Sequence, residues 1–274
     1  MPTGLSLTGA GAGFTSLPTI ALTGGALTSD ATYYYYSWTN TGTTPVVNAV
    51  VVGNGPLSVD CLAVACGGSA GRASGGGGGA GGMLESTVSL VSGGYDVQVG
   101  STLGIGGNAR RNSFLRTSSL TNIIHVTQGG FGGYINSVGP FNTISATNGG
   151  SGGGRSSSGG AVGTGISGQG YSGGSSSIGG GGGGGAGGVG AAGFSSTVAA
   201  SGGSGRSSTI LGTGSVTYAR GGGGGCNVRQ AANAVANSGN GGSASAGGAS
   251  GAVTGEGGSA GIVVIRYLRS AVGG

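Results

Sequence analysis

Residues 179–185 are seven consecutive glycines, followed by Ala186, Gly187, Gly188 and Val189. Glycine has no side chain to bury and loses more backbone freedom on ordering than any other residue. Such a run is therefore either a flexible linker or a segment held by its backbone alone. Polyproline-II geometry allows the second: three residues per turn, a rise of about 3.1 Å each, and every N–H and C=O directed outward. Seven residues then span roughly 22 Å. Several runs side by side can exchange hydrogen bonds in all directions, and only glycine permits so close an approach of backbones. The run thus predicts a polyglycine-II bundle, with backbone hydrogen bonding in place of side-chain packing.

The flanks of the glycine runs favour order over a linker. Val216 to Tyr218 lead towards Gly221–Gly225, and residues 257–261 lead into the β-branched stretch Ile262–Tyr267. A linker needs no such anchors, although composition alone favours disorder. With 76 glycines in 274 residues, Leu, Ile, Val and Phe are too sparse for an ordinary core,. Only 5% of residues are charged, so the repulsion that keeps most disordered chains expanded is missing,.

Charge and cysteine usage exclude several functions. The ten basic residues are all arginine and five acids leave a net charge of +5, a thin field over this length. A single Arg-Gly-Gly, at Arg220, gives no reason to expect a nucleic-acid partner. Three cysteines cannot form a disulfide framework, and Cys61 and Cys66 fall on opposite faces of one expected strand. With His125 the sole histidine, no zinc site is expected, and no cofactor,. Met1 to Gly4 carry no basic leader and no apolar stretch reaches 18 residues, so neither a signal peptide nor a membrane span is expected.

Composition divides the chain at 56/57. Residues 1–56 hold few glycine pairs and the only tryptophan, in the aromatic run Tyr33, Tyr34, Tyr35, Tyr36 and Trp38, followed by a second strand over 46–52. Strands apolar on both faces require partners, so 1–56 is expected to be a small β module for attachment or assembly. Residues 57–274 are expected to form a glycine-rich polyglycine-II/β domain. Its strands are predicted at 57–66, 83–91, 95–99, 122–127 and 262–267, with 83–99 as a hairpin or meander. Helix is expected almost nowhere; 227–236 is the only permissive stretch. The fold class is all-β.

A strand ending in small residues, a glycine run into Leu84 to Val88, the pattern Gly94-Tyr95-x-Val97-x-Val99-Gly100, and then Asn112 to Phe114 form a specific order. Together with the closing Gly261 to Tyr267, that order resembles the glycine-rich domain of bacteriophage tail-fibre and virion proteins, over about residues 57–268. It is similar in style to the fibre-tip adhesins of T-even-like phages. The resemblance implies a virion surface protein made in the host cytoplasm, most simply a tail fibre or receptor-binding adhesin whose loops project from a bundle. Implied partners are other virion proteins, through the N-terminal module, and a host-surface glycan or outer-membrane receptor. A homo-oligomer is also implied, with the trimer as the common fibre symmetry. Capsid decoration or a head fibre is the alternative within virions; an ice-binding face and a self-assembling filament are alternatives outside them.

Catalysis has little to draw on. One histidine and the acids Asp30, Asp60, Glu85, Asp96 and Glu256 give no close carboxylate pair by sequence, so a non-enzyme is expected,. The Gly188 to Gly193 match to a dinucleotide fingerprint lacks its strand–helix context, and without lysine there is no P-loop. Binding candidates are the arginines and aromatics between glycine runs: Arg110, Arg111, Phe114, Arg116, Phe131, Tyr134, Phe141, Arg155, Tyr171, Arg206 and Arg229. Arginine forks suit anionic sugars and phosphates, and aromatic faces stack on sugar rings.

Overall fold

The computed structural model describes residues 16–39, 45–72, 74–101, 112–136, 142–226, 237–244 and 255–273. Arg110, Arg111, Phe141, Arg229 and the helix-permissive stretch 227–236 lie outside the described residues. The described fold is all-β, with one 3-10 turn at Arg269–Val272.

Ten strands build a sandwich. They are β1 (Thr19–Leu22), β2 (Ala26–Ser29), β3 (Tyr33–Thr39), β4 (Val46–Gly53), β5 (Leu57–Val64), β6 (Met83–Leu90), β7 (Gly93–Gln98), β8 (Ser113–Thr117), β9 (Asn122–Val126) and, last in the chain, β14 (Ile262–Leu268). Short strands β10 (Tyr134–Asn136) and β11 (Asn142–Ile144) pair with each other, as do β12 (Arg206–Ser208) and β13 (Val216–Tyr218). One sheet runs β1-β4-β7-β8-β9 and the other β2-β3-β14-β5-β6, all antiparallel. Alternating residues fill the space between them: Trp38, Val59, Cys61, Val263 and Ile265 from one side, Val50, Tyr95, Val97, Leu115 and Ile124 from the other. Such a core stabilises by about 25 cal/mol for each Å² of apolar surface removed from water. The outer face of β5 and β14 is covered as well, by the hairpin β12–β13 and its connection, through Leu62, Val64, Val264, Ile210 and Tyr218.

One expectation gives way here. Residues 83–99 are not a hairpin: β6 pairs with β5 and β7 with β4 and β8, so the chain crosses between sheets at Val91 and Ser92. The core face of β7, Tyr95 and Val97, can be buried only from the opposite sheet. The described residues of 1–56 also pair with strands beyond residue 56. β3 pairs with β14 over seven residues, Thr39 opposite Ile262 through Tyr33 opposite Leu268, and β4 pairs with β7. The aromatic run is consumed in this arrangement. Trp38 is fully buried and donates from its indole N–H to the Thr23 carbonyl (2.8 Å); the Tyr36 ring packs against it at a tilt, 4.7 Å between centroids. Tyr35, buried on the other face, donates its hydroxyl proton to Asp30, while Tyr33 and Tyr34 lie under the guanidinium groups of Arg266 and Arg269.

At one end of the sandwich β5, β6, β9 and β14 continue directly into glycine-rich segments, which run back and forth along one another. Residues 75–82 show the rule. The N–H groups of Gly76, Gly79 and Gly82 donate to the carbonyls of Gly133, Gly130 and Thr127; those of Gly77 and Ala80 to Gly181 and Gly184; those of Gly78 and Gly81 to Gly242 and Gly239, all at 2.8–2.9 Å. In return the carbonyls of Gly76, Gly79 and Gly82 accept from Gly71, Gly68 and Ala65, those of Gly77 and Ala80 from Gly154 and Ser151, and those of Gly75 and Gly78 from Gly225 and Gly222. Three segments accept from the run and three donate to it, so it has six bonded neighbours, each addressed by every third residue. A period of three is neither the two of a strand nor the 3.6 of an α-helix.

The seven-glycine run behaves alike. Gly180, Gly183 and Ala186 donate to Gly225, Gly222 and Ala219, Gly181 and Gly184 to Arg155 and Gly152, and Gly182 and Gly185 to Ala191 and Gly188. A Cβ placed on Gly76, Gly77, Gly78 or Gly79 would sit well under 3.0 Å from a neighbouring carbonyl. Ala80 is the exception within its run, because its methyl joins the cluster of Leu62, Val64, Met83 and Ala186.

Candidate functional site

Where the glycine array meets the sandwich, three pieces of backbone enclose a groove of about 380 Å³. Its first wall is the turn 165–172. The Ile166 carbonyl accepts from the N–H groups of Gln169 and Gly170 (both 3.0 Å), and Gly168 takes a φ of 80°, a conformation that side-chain-bearing residues rarely adopt,. Gln169 clamps this turn to the sandwich. Its Oε1 accepts from the Thr127 N–H (2.8 Å), its Nε2 donates to the His125 carbonyl (3.3 Å), and its own carbonyl accepts from the Met83 N–H (3.1 Å). Tyr171 follows, its N–H bonded to the Gly185 carbonyl (3.1 Å) and its carbonyl to the Gly152 N–H (2.9 Å). The backbone is fixed while 50% of the residue's surface stays in solvent.

The second wall is the turn at Ala186 and Val189, held where the Gly187 N–H meets the Ser204 carbonyl (2.9 Å). Arg206 closes the third side. It opens β12 opposite Tyr218, and its Nη2 donates to the Met83 carbonyl at 2.6 Å, which fixes the guanidinium in place. No carboxylate of the described residues lies within ion-pair distance of it. Ser167 and Ser172 add hydroxyls to the lining. The groove therefore presents an aromatic face, a fixed cation with no carboxylate of the described residues in ion-pair distance, and small polar groups.

Of the binding candidates among the described residues, Tyr171 and Arg206 line one groove, and Phe114 and Arg116 meet elsewhere, within the sandwich. Phe114 is buried in β8, between the His125 ring (6.3 Å, stacked) and the Arg116 guanidinium (4.6 Å). Arg116 in turn lies 3.6 Å from Asp96, and burial holds the His125 imidazole below its usual pKa. Phe131 is half-buried within a glycine-rich segment. Tyr134 and Arg155 lie at the opposite end of the array, away from the sandwich, and the Arg155 Nε is buried without a partner. Ser167, Gln169 and Val189 escape sequence reading. Gln169, a long polar residue between two glycines, is the one signal that could have marked the turn.

Among the described residues no group of three or more His, Cys, Asp or Glu is placed to hold a metal ion, and no helix is long and apolar enough to cross a membrane. Cys61, Cys66 and Cys226 are all buried, and burial pushes the Cys61 thiol up to about 12.

An antiparallel sandwich continued by a backbone-bonded glycine array, with turns exposed at both of its ends, defines a glycine-rich scaffold domain. The chain belongs to the glycine-rich domain family, whose model matches residues 39–268. That span crosses 56/57, in keeping with strands β3 and β4 lying within the sandwich. Comparison with curated proteins and with solved structures returns no match.

Proposed function

We propose that the protein is a structural component of a bacteriophage virion, a tail fibre or receptor-binding adhesin whose glycine segments adopt polyglycine II. The observation that carries the scaffold reading is the three-residue period of hydrogen bonds around residues 75–82 and 179–186. Three residues per turn with outward N–H and C=O groups is the geometry of that helix. Such an array holds its turns rigidly without a large apolar core, and rigid display of turns is what recognition of a surface requires. The turns at both ends of the array expose apolar residues: Ile178, Phe194 and Val198 at the end away from the sandwich, Val189 and Tyr171 at the near end. In this reading the partners are other virion proteins and a host-surface glycan or receptor, with many copies providing avidity.

The test is localisation of the C-terminally tagged protein on particles from a lysate by electron microscopy. Label at the tail periphery, with loss of adsorption when the gene is disrupted, is the expected outcome. Label over the capsid lattice would replace the adhesin with a decoration protein, and label on no particle would reject a virion role.

A further inference from the structure

We infer that the groove between Tyr171 and Arg206 is a binding site for an anionic saccharide, a sugar unit carrying a carboxylate or phosphate. A volume near 380 Å³ lies within the roughly 300–1,000 Å³ of small-molecule sites,. Its composition is selective. Tyr171 exposes half of its surface, an apolar plane suited to the C–H face of a pyranose. Arg206 is immobilised through a single bond to the Met83 carbonyl, which leaves the rest of its planar set of donors for an acceptor pair,. Arg116, in contrast, faces Asp96 and Arg266 is bonded to Asp60 through Nε and Nη2 (3.1 and 2.7 Å). Arg269, like Arg206, donates to a backbone carbonyl, that of Asp30 (3.0 Å), but its guanidinium lies over the Tyr34 ring, whereas that of Arg206 lines the groove.

The surroundings favour a sugar over a bare anion. Ser167 and Ser172 line the groove, and hydroxyls both donate and accept, as a polyol requires,. Gly168 keeps the first wall low: a Cβ there would meet nothing within 4 Å, so the space beside it is open. The walls need little ordering on binding, because backbone hydrogen bonds and Gln169 already fix them; that lowers the entropic cost of binding,.

This inference rests on the adhesin reading only for the biological source of the saccharide. Binding by the purified chain can therefore fail, or succeed, regardless of where the protein sits on a particle. Isothermal titration of the full chain would use trigalacturonic acid, glucose 1-phosphate, maltotriose and inorganic phosphate. Tighter binding of either acidic sugar than of maltotriose, by tenfold or more and weakening with salt, is expected; which acidic sugar prevails separates carboxylated from phosphorylated sources. Tyr171→Ala and Arg206→Gln should each weaken it at least tenfold. Because Arg206→Gln also removes the bond to Met83, Ser167→Asp is the decisive variant: it puts a carboxylate in the groove at an exposed residue and should abolish binding at unchanged melting temperature. No binding of either acidic sugar, equal affinity for maltotriose or for inorganic phosphate, or binding indifferent to Ser167→Asp would each overturn the inference.

Discussion

Alanine substitution at four consecutive glycines, Gly76 to Gly79, separates a packed array from every other way of ordering this run. On a strand or a helix, some of four successive positions would face open space. Here the new Cβ would press on the carbonyl of Gly154 from position 76, of Gly222 from 77, of Gly68 from 78 and of Ser151 from 79, each well under 3.0 Å away against an ordinary contact of 3.4 Å or more. Relief requires separating two backbones by on the order of 1 Å, which carries hydrogen bonds now at 2.8–2.9 Å past the range of a bond,. At least two such bonds join each pair of neighbouring segments along this run, for example Gly77 to Gly181 and Ala80 to Gly184. A buried donor left unpaired costs about 1–3 kcal/mol, so each variant loses about 2–6 kcal/mol. Reduced freedom of the unfolded chain returns about 0.4–1 kcal/mol. A net loss of about 1–5.5 kcal/mol should lower the melting temperature by roughly 2–22 °C, at about 2–4 °C per kcal/mol for a chain of this size. Differential scanning calorimetry of the four variants measures it. A flexible run would show four neutral or slightly stabilised variants; any tolerated phase among the four would refute the six-neighbour packing.

Other predictions concern single side chains. Gln169→Ala should destabilise by about 1–3 kcal/mol, because the Thr127 N–H loses its acceptor,; chemical denaturation would show it, and a neutral result would mean the turn is held without the clamp. Thiol titration should find Cys61, Cys66 and Cys226 unreactive in the native protein and all three reactive in denaturant, since all are buried and the Cys61 thiolate is disfavoured up to about 12,. Burial opposes ionisation of Asp60, but the Thr87 hydroxyl and Arg266 outweigh it and hold its pKa below the usual carboxylate value. A depressed folded pKa contributes stability above the unfolded value of about 3.9, lost as pH falls through the folded one. Asp60→Asn should therefore flatten the stability profile below about pH 4 while leaving the slope from pH 6 to 8 unchanged.

The strands were legible wherever β-branched residues bordered glycine. Expected boundaries at 57–66, 83–91, 122–127 and 262–267 fall within two residues of β5, β6, β9 and β14. Strand pairing was not legible. β3 and β14 meet across more than 200 residues of chain, and nothing in the aromatic run marks Tyr36 as the partner of Ile265. Alternation places a residue on a face but does not say which sheet covers that face, which is why β6 and β7 read as a hairpin. The groove was less legible still. Tyr171 and Arg206 were visible as residue types, yet they meet because segments 171–174, 179–186 and 200–205 are stacked through backbone bonds, and a glycine backbone carries no side-chain record of its neighbours.

Identical residues also leave register undefined: sliding 75–79 along its neighbours replaces glycine by glycine. Ala80 supplies the missing reference, since its methyl fits the pocket of Leu62, Val64, Met83 and Ala186 while the position before it admits none. One inserted glycine tests this in two places. Between Gly77 and Gly78 the extra residue is passed back along the run past Gly75, and Ala80 keeps its site. Lengthening a loop by one residue costs a few tenths of a kcal/mol at most. Between Gly81 and Gly82, with β6 held in register against β5 over Leu57 to Val64, the same insertion shifts Ala80 to the place of Gly79. Its methyl then points at the Ser151 carbonyl, and the apolar cluster is left with a cavity. The two variants share length and composition, yet the second should melt well below the first, by about 2 kcal/mol or more on the same grounds as the alanine scan. Equal melting temperatures would mean that register is set by the sandwich strands alone and that the array slides freely behind them.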